Sequence, residues 1–307
     1  MKHYSVLLEE TINGLNIKET GIYVDATLGY AGHSKEILKR NKKGFLFAFD
    51  QDSDAILESE KTLSKVGKNY KLFNKNFVSL KSELMSENVT LVDGIIFDLG
   101  LSSPQIDNPA KGFTFMQDAP LDMRMDKTNK LSAKDVVNNY KEEELIHIFY
   151  KYGEVNLAKQ IAKKIVEERS KKEITTTKEL VSIIERSVGA KIFNTKHPER
   201  QIFQAIRIEV NSELSVLESV LPDAISLLKS GGRICVITFH SLEDRIVKQI
   251  FKKFSEVEGI VKGLPEIPDE YKPKIKIINK KPILPSEDEI RVNSRSKSAK
   301  LRIIERI

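Results

Sequence analysis

A chain of 307 residues holds one large domain, or a core domain carrying an inserted one. Its 40% hydrophobic and 31% charged residues exclude wholesale disorder, and no apolar run reaches the ~18–20 residues of a membrane span. The net charge of +6 is unevenly spread: residues 151–200 carry 12 Lys/Arg against 7 Asp/Glu and residues 291–307 carry 6 against 1, which suits either a polyanion or solvated surface.

The opening segment, MKHYSVLLEETINGL, places acidic residues directly after a short apolar stretch and has no small-residue cleavage site, unlike a secretory signal. Two periods then alternate. Strand-like runs at 21–29, 44–52, 70–77 and 93–100 are separated by helical patterns at 33–40, 53–66 and 78–87. Strand and helix repeated in this way predict βαβ units and a parallel sheet covered on both faces. From Leu101 to about Pro120 the Ser, Pro, Gly and Asp content predicts a loop, and from Ser132 to about Asn194 only helical patterns occur. TTTKELVSIIERSV offers Thr residues as N-caps. The segment from Ile202 to Lys229 reads as one helix stopped at Gly231-Gly232. The strand period resumes at 233–239, followed by a helix at 243–254 and by closing strands at 274–280 and 299–307. The single cysteine, Cys235, lies inside the apolar run ICVITF, which excludes an intrachain disulfide and predicts a buried, inert thiol; the cytoplasm is the expected compartment.

Chemistry concentrates where the early strands end. The turn Asp25-Ala26-Thr27-Leu28-Gly29-Tyr30-Ala31-Gly32-His33 lets backbone approach a ligand at the start of a helix, although it is not a full G-x-G-x-x-G. Asp50 ends the second strand, 21 residues after Gly29, where a carboxylate accepts hydrogen bonds from both ribose hydroxyls of a nucleoside or simply closes a turn. Phe77 ends the third strand, as an adenine cover or a core residue. Asp98 ends the fourth, where it holds a polar or cationic group or caps the next loop. A dinucleotide needs glycine where Tyr30 and Ala31 stand, whereas the sulfonium of S-adenosylmethionine suits Asp25, Asp50 and Asp98. On physical grounds an NAD(P) oxidoreductase remains the second reading. The five histidines are scattered, so no metal is expected.

Longer strings carry a resemblance. Thr238-Phe239-His240-Ser241-Leu242-Glu243-Asp244-Arg245, Gly112-Phe113-Thr114-Phe115 with Pro120-Leu121-Asp122-Met123-Arg124, Phe203-Gln204-Ala205-Ile206-Arg207, Asn293-Ser294-Arg295-Ser296-Lys297 and Asp98-Leu99-Gly100-Leu101-Ser102-Ser103-Pro104-Gln105 resemble, in this order, the motifs of the ribosomal RNA small-subunit methyltransferase H family. The likeness runs from about His3 to the C-terminus, with Tyr30 and Ala31 standing where the family often has glycines, Ala119 where it usually has Gly and Ser294 where Pro is common.

The resemblance implies an α/β fold: a Rossmann-like class I sheet dependent on S-adenosylmethionine, with an inserted small helical domain. It places the methyltransferase domain at 1–105 and 204–307, and an inserted substrate-recognition domain at 106–203. It implies methylation of the exocyclic N(4) of one cytidine in the decoding region of bacterial 16S rRNA, probed as naked RNA or within the small ribosomal subunit. Its cofactor contacts fall on Ala31, Gly32, His33, Asp50, Phe77, Asp98 and Gln105. Cytosine's amino group is a weak nucleophile that needs an acceptor for its proton. Asp98-Leu99-Gly100-Leu101 lacks the prolines and aromatic of many amino-methylating enzymes, so Asp98 and His240 are both candidates and neither is assigned. Arg291, Arg295, Lys297, Lys300 and Arg302, together with Lys163, Lys164, Arg169, Lys171 and Lys172, are candidate phosphate contacts. A ribosome-binding assembly factor without chemistry is the third reading.

Overall fold

The computed structural model describes residues 5–257 and 266–307; the start of the family resemblance at His3 lies outside them. The chain falls into two compact units, residues 1–100 with 214–307 and residues 101–213.

The first unit contains a seven-stranded sheet built from β1 (Ile22–Asp25), β2 (Phe45–Phe49), β3 (Tyr70–Phe73), β4 (Val92–Asp98), β5 (Leu228–Thr238), β6 (Ile275–Ile277) and β7 (Lys300–Arg306). Their order is β3-β2-β1-β4-β5-β7-β6, and only β7 runs antiparallel to its neighbours. Successive strand residues enter opposite layers. Val24, Ile95, Phe97, Ile234 and Val236 belong to one buried cluster, while Tyr23, Ile96, Cys235 and Ile237 belong to the other. A sheet covered on both faces requires such continuous apolar runs, which is why ICVITF shows no alternation. Cys235 is fully buried, and burial pushes its thiol far above the usual range, so it is unreactive.

The helices accompanying this sheet include α1 (Leu8–Leu15), α2 (Gly32–Arg40), α3 (Ser53–Leu63) and α4 (Leu80–Ser86). The second unit holds α5 (Ser103–Asp107), α6 (Ala133–Asn139), α7 (Glu142–Lys151), α8 (Ala158–Arg169), α9 (Thr177–Val188), α10 (Ala190–Lys196) and α11 (Pro198–Asn211). Phe149, Ile161, Ile165, Leu180, Ile184 and Ile206 lie in its core. Its helix starts follow local sequence: Thr176 and Glu179 form a capping box, as do Ser132 and Asp135. The chain re-enters the sheet unit through α12 (Glu213–Ser226), and α13 (Ser241–Ser255) and α14 (Glu287–Val292) follow.

Four expectations change. Helix α1 was not anticipated, because its N-cap is Leu7 in a left-handed conformation (φ 51°), which gives no side-chain capping signal. The stretch 101–120 is not wholly loop: it contains α5 and a 3₁₀ turn at Pro109–Lys111. The single helix expected across 202–229 is broken at Ser212 (φ 52°), where Asn211 turns its amide to Met123 O and Met125 N. Gly231-Gly232 does not stop a helix. The helix has already ended at Ser226, and β5 starts at Leu228 and runs through both glycines with a register shift opposite Val92 and Gly94. Gly231, at φ +75°, makes an irregularity inside the strand.

Candidate functional site

In an open α/β sheet a ligand crevice forms where the strand order reverses, here beside the carboxyl ends of β1 and β4. The sequence after β1 builds one wall. Asp25 accepts from Thr27 N (3.1 Å) and from Ser34 Oγ (2.7 Å), so the last strand residue is tied to the first turn of α2. Thr27 Oγ1 accepts from Asp98 N at 2.6 Å, joining this turn to the end of β4. Gly29 adopts φ +50° and donates its N–H to Asp50 Oδ2 at 2.8 Å, while Asp50 Oδ1 accepts from Asp52 N at 2.8 Å. Ala31 is also left-handed (φ 63°) and serves as the N-cap of α2. At Gly32 a Cβ would meet Ser5 Oγ at 1.7 Å and Ser5 Cβ at 3.0 Å, so glycine leaves room for the Ser5 side chain.

His33 is buried; its Nε2 lies 3.2 Å from Val6 O and its Nδ1 lies 3.5 Å from Asp98 Oδ2. The other oxygen, Asp98 Oδ1, is buried with no hydrogen-bond partner. Phe77 opens a 3₁₀ turn after β3 and meets Phe97, the residue before Asp98, edge-on at 5.6 Å. Asn76 donates to Gln51 Oε1 at 3.0 Å, bringing the chain after β3 to the chain after β2. Ala31, Gly32, His33, Asp50, Phe77 and Asp98 are therefore gathered at one sheet edge. Gln105 belongs to the other unit, where it is buried in α5 and its Oε1 accepts from Ser102 N at 3.0 Å.

Three carboxylates at this edge strain against their surroundings. Burial pushes Asp25 up to about 6 and Asp50 up to about 7. Burial, reinforced by Asp25, Glu243 and Glu289, holds Asp98 well above the ordinary carboxylate range. Their hydrogen-bond and ion-pair partners are backbone amides, one hydroxyl and His33. Such a site is short of positive charge, and a cationic ligand supplies it. An orphaned buried carboxylate oxygen and a surplus of negative charge fit a sulfonium and an ammonium group.

Sequence inspection gave no hint of several supports. Ser34 and Thr27 lie inside the turn already singled out, yet their locking roles depend on geometry. Glu289, which accepts from Leu7 N at 2.8 Å, carried no signal, since its partner is 282 residues away. His240 caps α13; its Nδ1 accepts from Glu243 N at 3.5 Å, and its Nε2 lies 3.2 Å from Glu243 Oε1 outside hydrogen-bonding geometry.

The expected RNA contacts divide. Arg302 is only 12% exposed and forms a bidentate pair with Asp244 (2.6 and 3.1 Å), so it is a structural cation rather than a phosphate contact. Arg169 likewise donates inward, to Val137 O and Tyr140 O. Lys164 and Lys171 pair with Glu168, and Lys172 with Glu179. Lys163 and Lys297 are exposed and, among the described residues, pair with no acidic side chain.

The sheet order, with its one reversed strand, the acidic strand ends at the β1/β4 switch and the family match below define a class I methyltransferase, whose methyl donor is S-adenosylmethionine. Residues 1–307 match the MraW methylase family, and the chain belongs to that family. It is also similar to an rRNA methylase from Streptococcus thermophilus (12% identity, TM-score 0.43, 100% of this chain and 99% of that one). A Streptococcus mutans protein in complex with SAH (11%, 0.46, 99% of each) and a SAM-dependent O-methyltransferase from Thermotoga maritima (9%, 0.42, 100% and 68%) are similar to the same degree. No helix among the described residues is long and apolar enough to cross a membrane.

Proposed function

We propose that this chain methylates the exocyclic N(4) of one cytidine in the decoding region of bacterial 16S rRNA, acting in the cytoplasm on RNA within the small ribosomal subunit. The observation that carries this reading is a match to the MraW methylase family over the whole chain, in a molecule whose sheet edge holds a buried, unpartnered oxygen of Asp98. The motif strings from Asp98 to Gln105 and from Thr238 to Arg245 support the cytidine target by resemblance.

In this reading Asp50 accepts the ribose hydroxyls, Phe77 covers the adenine and the Ala31–His33 turn lies along the amino-acid portion. Asp98 holds a cationic group, and Gln105 is carried as a donor contact by the resemblance alone. When bound, the donor supplies an electrophilic methyl carbon on sulfur. The chain supplies alignment and exclusion of water, the larger share of catalysis for an in-line displacement. The target base leaves its stack to reach the crevice. The helical segment 106–203 serves substrate recognition.

Mass spectrometry of 16S rRNA from cells with and without the gene tests the assignment. The expected result is loss of one N(4)-methyl group on a decoding-region cytidine, regained with the intact gene. An unchanged cytidine pattern would overturn the substrate. Purified small subunits and naked RNA, each offered labelled donor, separate the two substrate forms: label is expected in the subunit.

A further inference from the structure

The helical unit contains a cavity of about 390 Å³, inside the ~300–1,000 Å³ range of small-ligand sites, between the α7–α8 turn and the segment joining α10 to α11. Its floor is apolar and fixed. Val155 and Pro198 are buried, and Leu157 and Ile192 lie half-buried against the core of the unit. Gln204 donates to Tyr152 O at 3.0 Å and Val155 N to Phe149 O at 3.1 Å, which ties the turn to α11 and to α7. At Gly153 a Cβ would come within 2.8 Å of Gln201 O and Phe149 O, so glycine permits this close approach. The rim is polar: Asn156, from the turn, and Gln201, from α11, are exposed and carry amide donors and acceptors. Lys196 lines the cavity, and Lys159 and Lys191 are exposed within two residues of its lining. Among the described residues none of the three pairs with an acidic side chain. Against them stand Glu154 in the wall and Glu199, which is buried beside His197. The N-cap of α8, Leu157, offers no side-chain cap and the first turn holds no acid, so this helix end adds to the positive field.

We propose that this cavity holds one unpaired nucleotide of the ribosomal RNA, its base on the apolar floor and its phosphate at Lys196. An unstacked base has two apolar faces and a polar edge, and proteins that read RNA take such bases into pockets of this make-up. Asn156 and Gln201 supply the groups that meet a base edge, and a carboxylate such as Glu154 accepts from an exocyclic amine. Lysines on an open surface neutralise phosphate anywhere along a strand. A cavity floored with aliphatic side chains adds a choice of position, because it is filled only where the strand is single and unstacked. Every lining residue belongs to the helical unit, and none is a candidate donor contact, so the nucleotide held here is not the one that receives the methyl group. The inference rests on the chain's acting on ribosomal RNA, not on the choice of cytidine.

Methyl NMR of the whole chain, with S-adenosylhomocysteine present to occupy the donor site, tests the cavity directly. At least one of the four nucleoside 5′-monophosphates, and a single-stranded RNA hexamer of the same base, should shift the methyl signals of Val155, Leu157 and Ile192 saturably, and inorganic phosphate should not. Gln201→Trp fills the mouth of the cavity from an exposed position. It should raise KM for ribosomal RNA about tenfold while kcat and donor affinity stay unchanged. Lys196→Ala should lower the salt slope of RNA affinity by about 0.7–0.9. Should Gln201→Trp fail to fold, Asn156→Trp closes the same mouth from the turn. No shift with any nucleotide, or the same shifts with phosphate alone, overturns the nucleotide site. So does an unmoved KM in a folded, plugged variant, even where Lys196→Ala lowers the slope, since Lys196 is then a surface phosphate contact only. If the intact chain transfers no methyl group to ribosomal RNA, the functional reading falls by itself. The methyl shifts then decide the cavity alone: present they uphold it, absent they remove it.

Discussion

Asp25 is a buried and Asp50 a half-buried carboxyl, and the surroundings of both resist the charged form. In the ligand-free protein this has a thermodynamic consequence. Their folded values, about 6 and about 7, lie above the ordinary 3.8, so between these limits the folded chain holds protons that the unfolded chain has lost. The stabilisation is complete below about pH 4 and disappears as pH rises through 6 and 7, at about 1.4 kcal/mol per pH unit for each group still protonated. The ion-paired carboxyls Asp93, Asp122 and Asp244 lie below their ordinary range and finish titrating under pH 5, so they leave the interval from 5 to 8 flat. The melting temperature of the ligand-free protein should therefore fall from pH 5 to pH 8, and Asp50→Asn should flatten the fall. Thermal melts at four pH values check this; a melting temperature that rises over the interval, or an Asp50→Asn slope equal to that of the wild type, would refute it.

Elements were legible in the sequence to the extent that their cause was local. The strands β1, β2, β4 and β5 appear as apolar runs because both sheet faces are covered, and α9 announces itself through its Thr176–Glu179 box. The candidate residues Ala31, Gly32, His33, Asp50 and Asp98 could be singled out because a parallel sheet sends its strand ends, and the turns that follow them, to the same edge; Phe77 lies beyond the end of its strand, in a 3₁₀ turn. What stayed hidden depends on distant partners. Helix α1 begins at a left-handed Leu7 held by Glu289, and the break at Ser212 is braced by Arg207 and Glu213, paired at 2.8 Å through two nitrogens. No window of neighbouring residues contains those causes. Ser212 makes the point measurable. It adopts φ 52°, which costs a residue with a Cβ, so Ser212→Gly should stabilise the chain by about 0.5–1 kcal/mol if the left-handed turn is the native state. Denaturant unfolding is the measurement. Destabilisation by more than the ~1 kcal/mol helix penalty of glycine would mean that 198–226 is one continuous helix in solution.

At the scale of the molecule, a net charge of +6 conceals two very different kinds of cation. Arg302 and Arg169 hold the fold, one against Asp244 and the other against carbonyls, while Lys163 and Lys297 stand in solvent, one on each basic stretch. A polyanion reads only the second kind, because affinity from phosphate neutralisation comes from counterions released at accessible charges. The logarithm of the affinity for ribosomal RNA should therefore fall linearly with the logarithm of salt. Lys163→Ala and Lys297→Ala should each lower the slope by about 0.7–0.9, with melting temperature unchanged. Arg302→Met should do the opposite. It leaves Asp244 buried against a neutral side chain, a loss of about 3–5 kcal/mol for a broken buried pair, discounted because Lys300 remains at 3.4 Å, yet the slope should hold. Filter binding at five salt concentrations, with a thermal melt of each variant, separates these effects. A slope reduced by Arg302→Met in a folded protein would place that arginine on the RNA, and slopes untouched by both lysine changes would move the RNA to another face.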